Sequence, residues 1–353
     1  MLARQFTHIL LRPEDIPPTR DDMEVIGVFN PGAIATPEGV VILARVAERP
    51  KEKRPGCVGL PRWRVETGLE IDWVREEEIT WPDPRVCEFK RTKLIRLSFA
   101  SHLRVILSRD GRTIDTLTDV RLLPEAEHEE YGLEDPRLTR IGETYYFTYV
   151  AVSRHGAATA LASTRDFRSF ERHGIIFPPE NKDVVLFPDP LDGRYVALHR
   201  PNPATPFSPP EMWIAASSDL RHWGDHAFFL RGSTEWDRGR IGAGTPPVRT
   251  DEGWLEIYHG SGPAGEARGV GAYAAAALLL DPADPRRIRR RSRGPILRPE
   301  LPFEREGFVA EVVFPTGLIE QDDLYLVYYG ASDTYCGGVG LSRKQLLQSL
   351  IEM

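Results

Sequence analysis

Four short clusters in this sequence combine residue types that do chemistry. Gly132-Leu133-Glu134-Asp135-Pro136-Arg137 sets two adjacent carboxylates beside a guanidinium and a proline of fixed φ. Alternation along a strand turns neighbours to opposite faces, so only one of Glu134 and Asp135 is expected to face a site. The plain alternative is a salt-bridged turn. Asn181-Lys182-Asp183 precedes the apolar run Val184-Val185-Leu186-Phe187-Pro188, and His199-Arg200-Pro201 closes a β-run. Cations pressed against strand ends are costly unless they are paired or face an anion or sugar hydroxyls. The fourth cluster joins Arg240-Ile241-Gly242-Ala243-Gly244-Thr245-Pro246-Pro247 to Tyr258-His259-Gly260. Its glycines let the backbone approach a ligand, but no helix can follow the two prolines, which excludes a dinucleotide fingerprint.

Other chemistries find little support. The nine histidines are scattered and none lies in an H-E-x-x-H motif, so no metal site is expected. No G-x-S-x-G elbow presents a nucleophilic serine. Cys57, Cys87 and Cys336 are odd in number and lack C-x-x-C spacing, which argues against disulfides and zinc. Carboxylates with arginine, lysine, histidine and seven tryptophans remain. That set fits glycoside cleavage, in which a protonated acid serves the leaving oxygen and a second group manages the nucleophile.

The elements that must position these residues are strands. Runs rich in Val, Ile, Tyr and Phe alternate with Gly, Pro and Asp clusters, as in Gly39–Arg45, Glu143–Val150, Arg194–His199, Gly253–Tyr258 and Leu324–Tyr329. One helix is expected, Arg343 to Ile351, with Leu346, Leu347 and Leu350 on one side. Ser108-Arg109-Asp110-Gly111, Ser163-Thr164-Arg165-Asp166-Phe167 and Ser217-Ser218-Asp219-Leu220 each follow a β-run. Their period of about 55 residues suggests blades around an axis, about five in this length, rather than a β-sandwich. The expectation is therefore an all-β, five-bladed β-propeller forming a single domain over residues 1–353, with a short C-terminal helix.

The 353 residues carry a net charge of −7 and no apolar stretch of the roughly 18 residues that a membrane span needs. Neither a membrane nor a nucleic acid is expected as partner, and a cytoplasmic location is the default. The basic run Arg286-Arg287-Ile288-Arg289-Arg290-Arg291 reads as a solvated strand face in a globally acidic chain.

The ordered motifs, together, resemble glycoside hydrolase family 130. They run from Phe29-Asn30-Pro31-Gly32-Ala33 through Gly132-Leu133-Glu134-Asp135-Pro136-Arg137, Asn181-Lys182-Asp183 and Leu198-His199-Arg200-Pro201. They continue through Gly242–Pro247, Tyr258-His259-Gly260 and Val313-Phe314-Pro315 to Tyr328-Tyr329-Gly330-Ala331-Ser332-Asp333-Thr334, covering about residues 25–345. The resemblance implies a five-bladed propeller and inverting cleavage of β-mannosides, by phosphate in most members and by water in some. It makes Asp135 the proton donor, acting in some members through a sugar hydroxyl. It makes Asn30, Arg45, Asp183, Tyr258 and Asp333 substrate-binding residues. For a phosphorylase, it places phosphate at Lys182, Arg200, Arg240 and His259, next to Tyr258. Inorganic phosphate would then be the co-substrate, with no other cofactor.

Two departures from the family pattern point toward water. Tyr273-Ala274 stands where many phosphorylases read Tyr-Arg, which removes a cation, and Glu311 stands where they carry asparagine. A lost positive charge weakens a phosphate site, while a gained carboxylate repels the dianion and supplies a base for water. The sequence-based expectation is hydrolysis of short β-1,2-mannooligosaccharides, with Asp135 as donor and Glu311 as base. Glu266 and Glu256 are weaker candidates for the base. Phosphorolysis releasing mannose 1-phosphate is the alternative, and a non-catalytic sugar-binding propeller the second. The expected partner is a small oligosaccharide, with homo-oligomerisation allowed.

Overall fold

The β-rich runs fold as strands, and only two short α-helices interrupt them in this computed structural model, which describes residues 2–203, 207–263 and 271–353. Strand β1 (Arg4–Leu11) leads to β2 (Met23–Thr36) and β3 (Gly39–Pro50). An insertion carrying β4 (Cys57–Arg64), β5 (Gly68–Arg75), β6 (Ile79–Asp83), β7 (Val86–Phe89) and β8 (Ile95–Leu97) precedes β9 (Ala100–Ser108) and β10 (Thr116–Leu122). Next come β11 (Gly132–Ile141), β12 (Thr144–Ser153), β13 (Gly156–Thr164) and β14 (Glu171–Phe177). They are followed by β15 (Asn181–Leu186), β16 (Tyr195–Pro201), β17 (Met212–Ser217) and β18 (Trp223–Leu230). Then follow β19 (Arg240–Ala243), β20 (Val248–Thr250), β21 (Gly253–Ser261), β22 (Tyr273–Leu280) and β23 (Ile288–Ser292). Helix α1 (Pro302–Arg305), β24 (Val313–Gln321), β25 (Leu324–Ala331), β26 (Tyr335–Ser342), α2 (Arg343–Ser349) and β27 (Leu350–Glu352) end the chain.

Hydrogen bonding assembles successive antiparallel runs: β2-β3-β9-β10, β11-β12-β13-β14, β15-β16-β17-β18, β19 and β20 on β21-β22-β23, and β24-β25-β26. The first two runs touch through one parallel pair, Gly132 opposite Ser101. Strand β1, first in sequence, pairs with β26 and completes the last run. Apolar cores lie between consecutive runs, as where Leu43 and Leu103 meet Leu133 and Phe147, or Val185 and Leu198 meet Ile241 and Trp254. One such core joins the last run to the first, with Leu326 and Tyr328 against Val28 and Val46. The insertion has a small core of its own, Leu60, Ile79 and Cys87.

The recurrent serine-aspartate signature closes the third strand of the first three runs. Each aspartate accepts two backbone N–H groups, Asp110 from Arg112 and Thr113, Asp166 from Arg168 and Ser169, and Asp219 from Arg221 and His222. These are side-chain-stabilised turns. Asp281 closes the fourth run in the same way on Ala283 and Asp284, a member of the series that inspection of the sequence missed. The expected C-terminal helix ends at Ser349 rather than Ile351, because Leu350 to Glu352 pair with β23. Leu346 and Leu350 still reach one core. The basic run 286–291 leads into and forms β23, between β22 and β27, with Arg286 on Asp284, Arg290 on Glu252 and Arg291 on Asp237. No described helix is long and apolar enough to cross a membrane.

Closure of the last run by β1 is fastened by one buried carboxylate. Glu304, fully buried, accepts 2.6 Å bonds from Arg4 Nη1 and from the Tyr329 hydroxyl, and also the Glu300 and Leu301 N–H groups. Removing one partner of a buried pair leaves the other charge uncompensated. Arg4→Ala is therefore expected to lower unfolding free energy by about 2–4 kcal/mol in urea denaturation, and a change under about 0.5 kcal/mol would show that packing alone holds β1.

Candidate active site

Four strands that begin their runs carry a register break against the next strand. The breaks fall between Phe29 and Gly32, Glu134 and Arg137, Lys182 and Val185, and Pro315 and Gly317. Three of them hold a residue in the left-handed region, Asn30 at φ 47°, Asp135 at 50° and Asp183 at 55°. Asparagine and aspartate tolerate this region better than other side-chain-bearing residues, and a bulge re-aims the side chain that it carries. Their side chains meet in one cavity of about 200 Å³.

The bulge corrects the expectation drawn from strand alternation: Glu134 and Asp135 both face this cavity. Arg45 bridges them, Nη2 donating to Glu134 Oε1 at 2.6 Å and Nη1 to Asp135 Oδ1 at 2.9 Å. Its guanidinium lies 4.4 Å from the centre of the Phe29 ring. Asn30 Nδ2 donates to the same Asp135 oxygen at 2.7 Å. Arg137, the guanidinium inside the motif, does not pair with those carboxylates. It donates to the Asp135 carbonyl at 2.6 Å, to the Gly244 carbonyl and to Asp183 Oδ1 at 3.3 Å, stitching three runs together.

Asp183 is the buried hub of a second charge cluster. Its Oδ2 lies 2.5 Å from Arg200 Nη1 and 3.2 Å from His259 Nε2. Gly242 makes this approach possible, since a Cβ there would sit 2.4 Å from the same oxygen. Burial alone would raise the Asp183 pKa, but Arg200, His259 and Arg137 outweigh it and hold the carboxylate ionised. Burial lowers the His259 pKa despite Asp183, so the imidazole is neutral at pH 7. Lys182, Arg200 and Arg240 line the cavity. Among the described residues neither Lys182 nor Arg240 has an ion-pair partner, and the buried Nε of Arg200 has no acceptor.

The carboxyls divide by environment. Burial pushes Asp135 up, but Arg45, Arg137 and the Asn30 amide prevail and hold it below the usual carboxylate range. Burial dominates at Asp333, where Arg85 and Arg45 only partly offset it and Asp135 and Glu134 add to it, so its pKa is raised. Asp333, at φ 48° on the β25–β26 turn, lines the cavity beside Phe314, Tyr273 and Arg85.

Of the residues expected at the site, Asn30, Arg45, Asp135, Asp183, Asp333, Lys182, Arg200 and Arg240 line this cavity. His259 stands directly behind Asp183 and Arg200. Tyr258 is a correction. Alternation along β21 sends it away from His259 into a core, where it is fully buried and its hydroxyl accepts a 2.8 Å bond from Arg291 Nε. Glu311 is exposed, lies outside the cavity lining, and has neither Arg200 nor Arg240 as partner. Glu256 is fully buried under Gly244, whose N–H it accepts at 3.1 Å, and burial raises its pKa well above the usual range, so it is no base. Glu266 lies outside the described residues, as do parts of the loops at 201–210 and 261–269. His222 and His226 are four apart, yet His222 sits on Asp219 and His226 on His199. The described residues contain no group of three potential metal ligands. Tyr273 and Phe314, quoted in motifs but given no site role, also line the cavity, and so does Arg85, which lies in a Pro-rich insertion turn with no recognisable signature.

A family model described as beta-1,4-mannooligosaccharide phosphorylase matches residues 92–351. The beta-1,2-mannobiose phosphorylase of Listeria innocua is 38% identical over 348 residues, 97% of this chain and 96% of its own. Its structure in complex with beta-1,2-mannobiose superposes with a TM-score of 0.89 at 39% identity, covering 96% of each chain. The 1,2-beta-oligomannan phosphorylase of a Thermoanaerobacter species is 36% identical over 252 residues, 70% of this chain and 81% of its own.

The Asp183 hub generates a prediction. Asp183→Asn leaves Arg137 and Arg200 sharing one neutral amide in a buried site, so unfolding free energy should fall by about 3–5 kcal/mol in denaturant titration. A loss below about 1 kcal/mol would mean that the cluster does not depend on that charge.

Proposed function

The chain belongs to glycoside hydrolase family 130, and on that premise we propose that it cleaves short β-mannosides, β-1,2-mannobiose foremost, by inverting phosphorolysis. The single observation carrying this reading is the cation group Lys182, Arg200 and Arg240, two of them unpaired among the described residues, across one cavity from Asp135. The relatives named above, phosphorylases of β-1,2-linked mannosides, support the substrate class. The hydrolytic expectation loses its main support, because Glu311 stands outside the cavity lining. Ala274 supplies no cation, so Lys182, Arg200 and Arg240 carry the anion in this reading.

In this reading the strand runs are the five blades of a propeller. The cores between consecutive runs, and between the last run and the first, support that assignment. The residues then divide by role. Asn30, Arg45 and Asp333 hold the mannosyl unit, and Lys182, Arg200 and Arg240, backed by Asp183 and His259, hold phosphate. A phosphate oxygen attacks the anomeric carbon from the face opposite the leaving sugar as the glycosidic C–O bond breaks. The proton reaches the leaving oxygen from Asp135, directly or through a sugar hydroxyl. The products are α-mannose 1-phosphate and the shortened sugar. Because the free site holds Asp135 ionised, its protonation accompanies substrate and phosphate binding.

Purified protein given β-1,2-mannobiose should release mannose 1-phosphate only when inorganic phosphate is present, and Asp135→Asn should abolish this with the fold intact by circular dichroism. Mannose released equally without phosphate would contradict the reading. The pH profile supplies a second check. A donor is lost as pH rises through its pKa, and the Asn30 amide stabilises the ionised form of Asp135. Asn30→Ala should therefore lower kcat/KM overall yet shift its high-pH limb upward; an unmoved limb would show that another group sets it.

A further inference from the structure

The insertion between β3 and β9 places one side chain in the site that the family motifs do not supply. Arg85, in the turn between β6 and β7, lines the cavity and precedes the segment matched by the family model. Its backbone is fixed, since its carbonyl accepts the Ser98 N–H at 2.8 Å. One edge of its guanidinium is held by Asp83, Nε to Oδ1 at 3.1 Å and Nη2 to Oδ2 at 3.2 Å. Nη1 stands 3.9 Å from Asp333 Oδ2, within ion-pair range but too far for a hydrogen bond. The side chain keeps 30% of its exposure, so donors remain open to the cavity.

A donor and an acceptor about 4 Å apart suit hydroxyls on either side of the glycosidic bond, one on the mannosyl unit donating to the Asp333 carboxylate and one on the neighbouring sugar accepting from the Arg85 guanidinium. Which sugar is gripped follows from inversion. Phosphate on Lys182, Arg200 and Arg240 attacks from β15, β16 and β19, so the leaving sugar exits on the other side. Arg85 is supplied by the insertion rather than by those strands, and it stands beside Asp333 of the β25–β26 turn. Resting on the phosphorolytic reading, the geometry points to Arg85 as a specificity-determining residue that binds the leaving sugar, the acceptor in the synthetic direction. The insertion is then the element through which this chain selects its acceptor.

The test runs the reaction in synthesis, with α-mannose 1-phosphate as donor and mannose as acceptor. Arg85→Ala should raise KM for mannose at least about tenfold, the loss of one charge-assisted hydrogen bond. KM for mannose 1-phosphate should stay within about twofold, and the melting temperature should be unchanged. Arg85→Gln, which keeps donors without charge, should fall between Arg85→Ala and the wild type. An unchanged acceptor KM in an active Arg85→Ala enzyme would overturn the inference and leave the phosphorolytic reading standing. So would equal rises in both KM values with a lowered melting temperature, which would make Arg85 a clasp for the insertion. Wild-type protein that forms no disaccharide from these substrates would overturn the phosphorolytic reading and the inference together.

Discussion

The site depends on a backbone constraint: the strands that start the first three runs each turn one residue into left-handed conformation where the register breaks. A strand left to its period of two would show the cavity every other side chain. The breaks at Asn30, Asp135 and Asp183 suspend that rule, so Glu134 joins Asp135 and Lys182 joins Asp183 at one cavity. Such conformations cost free energy at residues other than glycine and persist only where the surroundings over-determine them. Here the surroundings are Arg45 across Glu134 and Asp135, and Arg137 tying Asp135, Asp183 and Gly244.

These pairings also sort the charges. Glu134 and Asp135 are matched by Arg45, and Asp183 is matched by Arg200 and Arg137 with the neutral His259 beside it. Lys182 and Arg240 are left without protein partners among the described residues, beside the unpartnered Nε of Arg200. A half-buried cation that lacks a partner is unfavourable, and Lys182 and Arg240 are both half-buried. The same cavity thus holds one carboxyl whose pKa is lowered, Asp135, and another whose pKa is raised, Asp333, separated by what surrounds them rather than by residue type.

Much of this was legible in the sequence because it is local. Period-two apolar runs marked the strands, and Asp110, Asp166 and Asp219 betrayed a repeated turn because one carboxylate can satisfy two backbone N–H groups only in that geometry. Motif order led to eight of the cavity residues. What escaped depends on distant parts of the chain or on backbone dihedrals. The left-handed breaks leave no signature beyond the presence of Asn or Asp. Arg85 reaches the site only because the insertion folds over it, and β1 completes a run that ends more than three hundred residues later. Tyr258 was misplaced for a reason that the sequence did contain, since it neighbours His259 on one regular strand and the two side chains point to opposite sides.

The central claim is that phosphate and Asp135 act on the mannosyl unit from opposite walls, and stereochemistry reports this directly. Proton NMR of the reaction with β-1,2-mannobiose and inorganic phosphate, followed from the first turnovers, should show α-mannose 1-phosphate as the initial sugar phosphate. Initial β-mannose 1-phosphate, or free mannose as the sole product, would contradict the account.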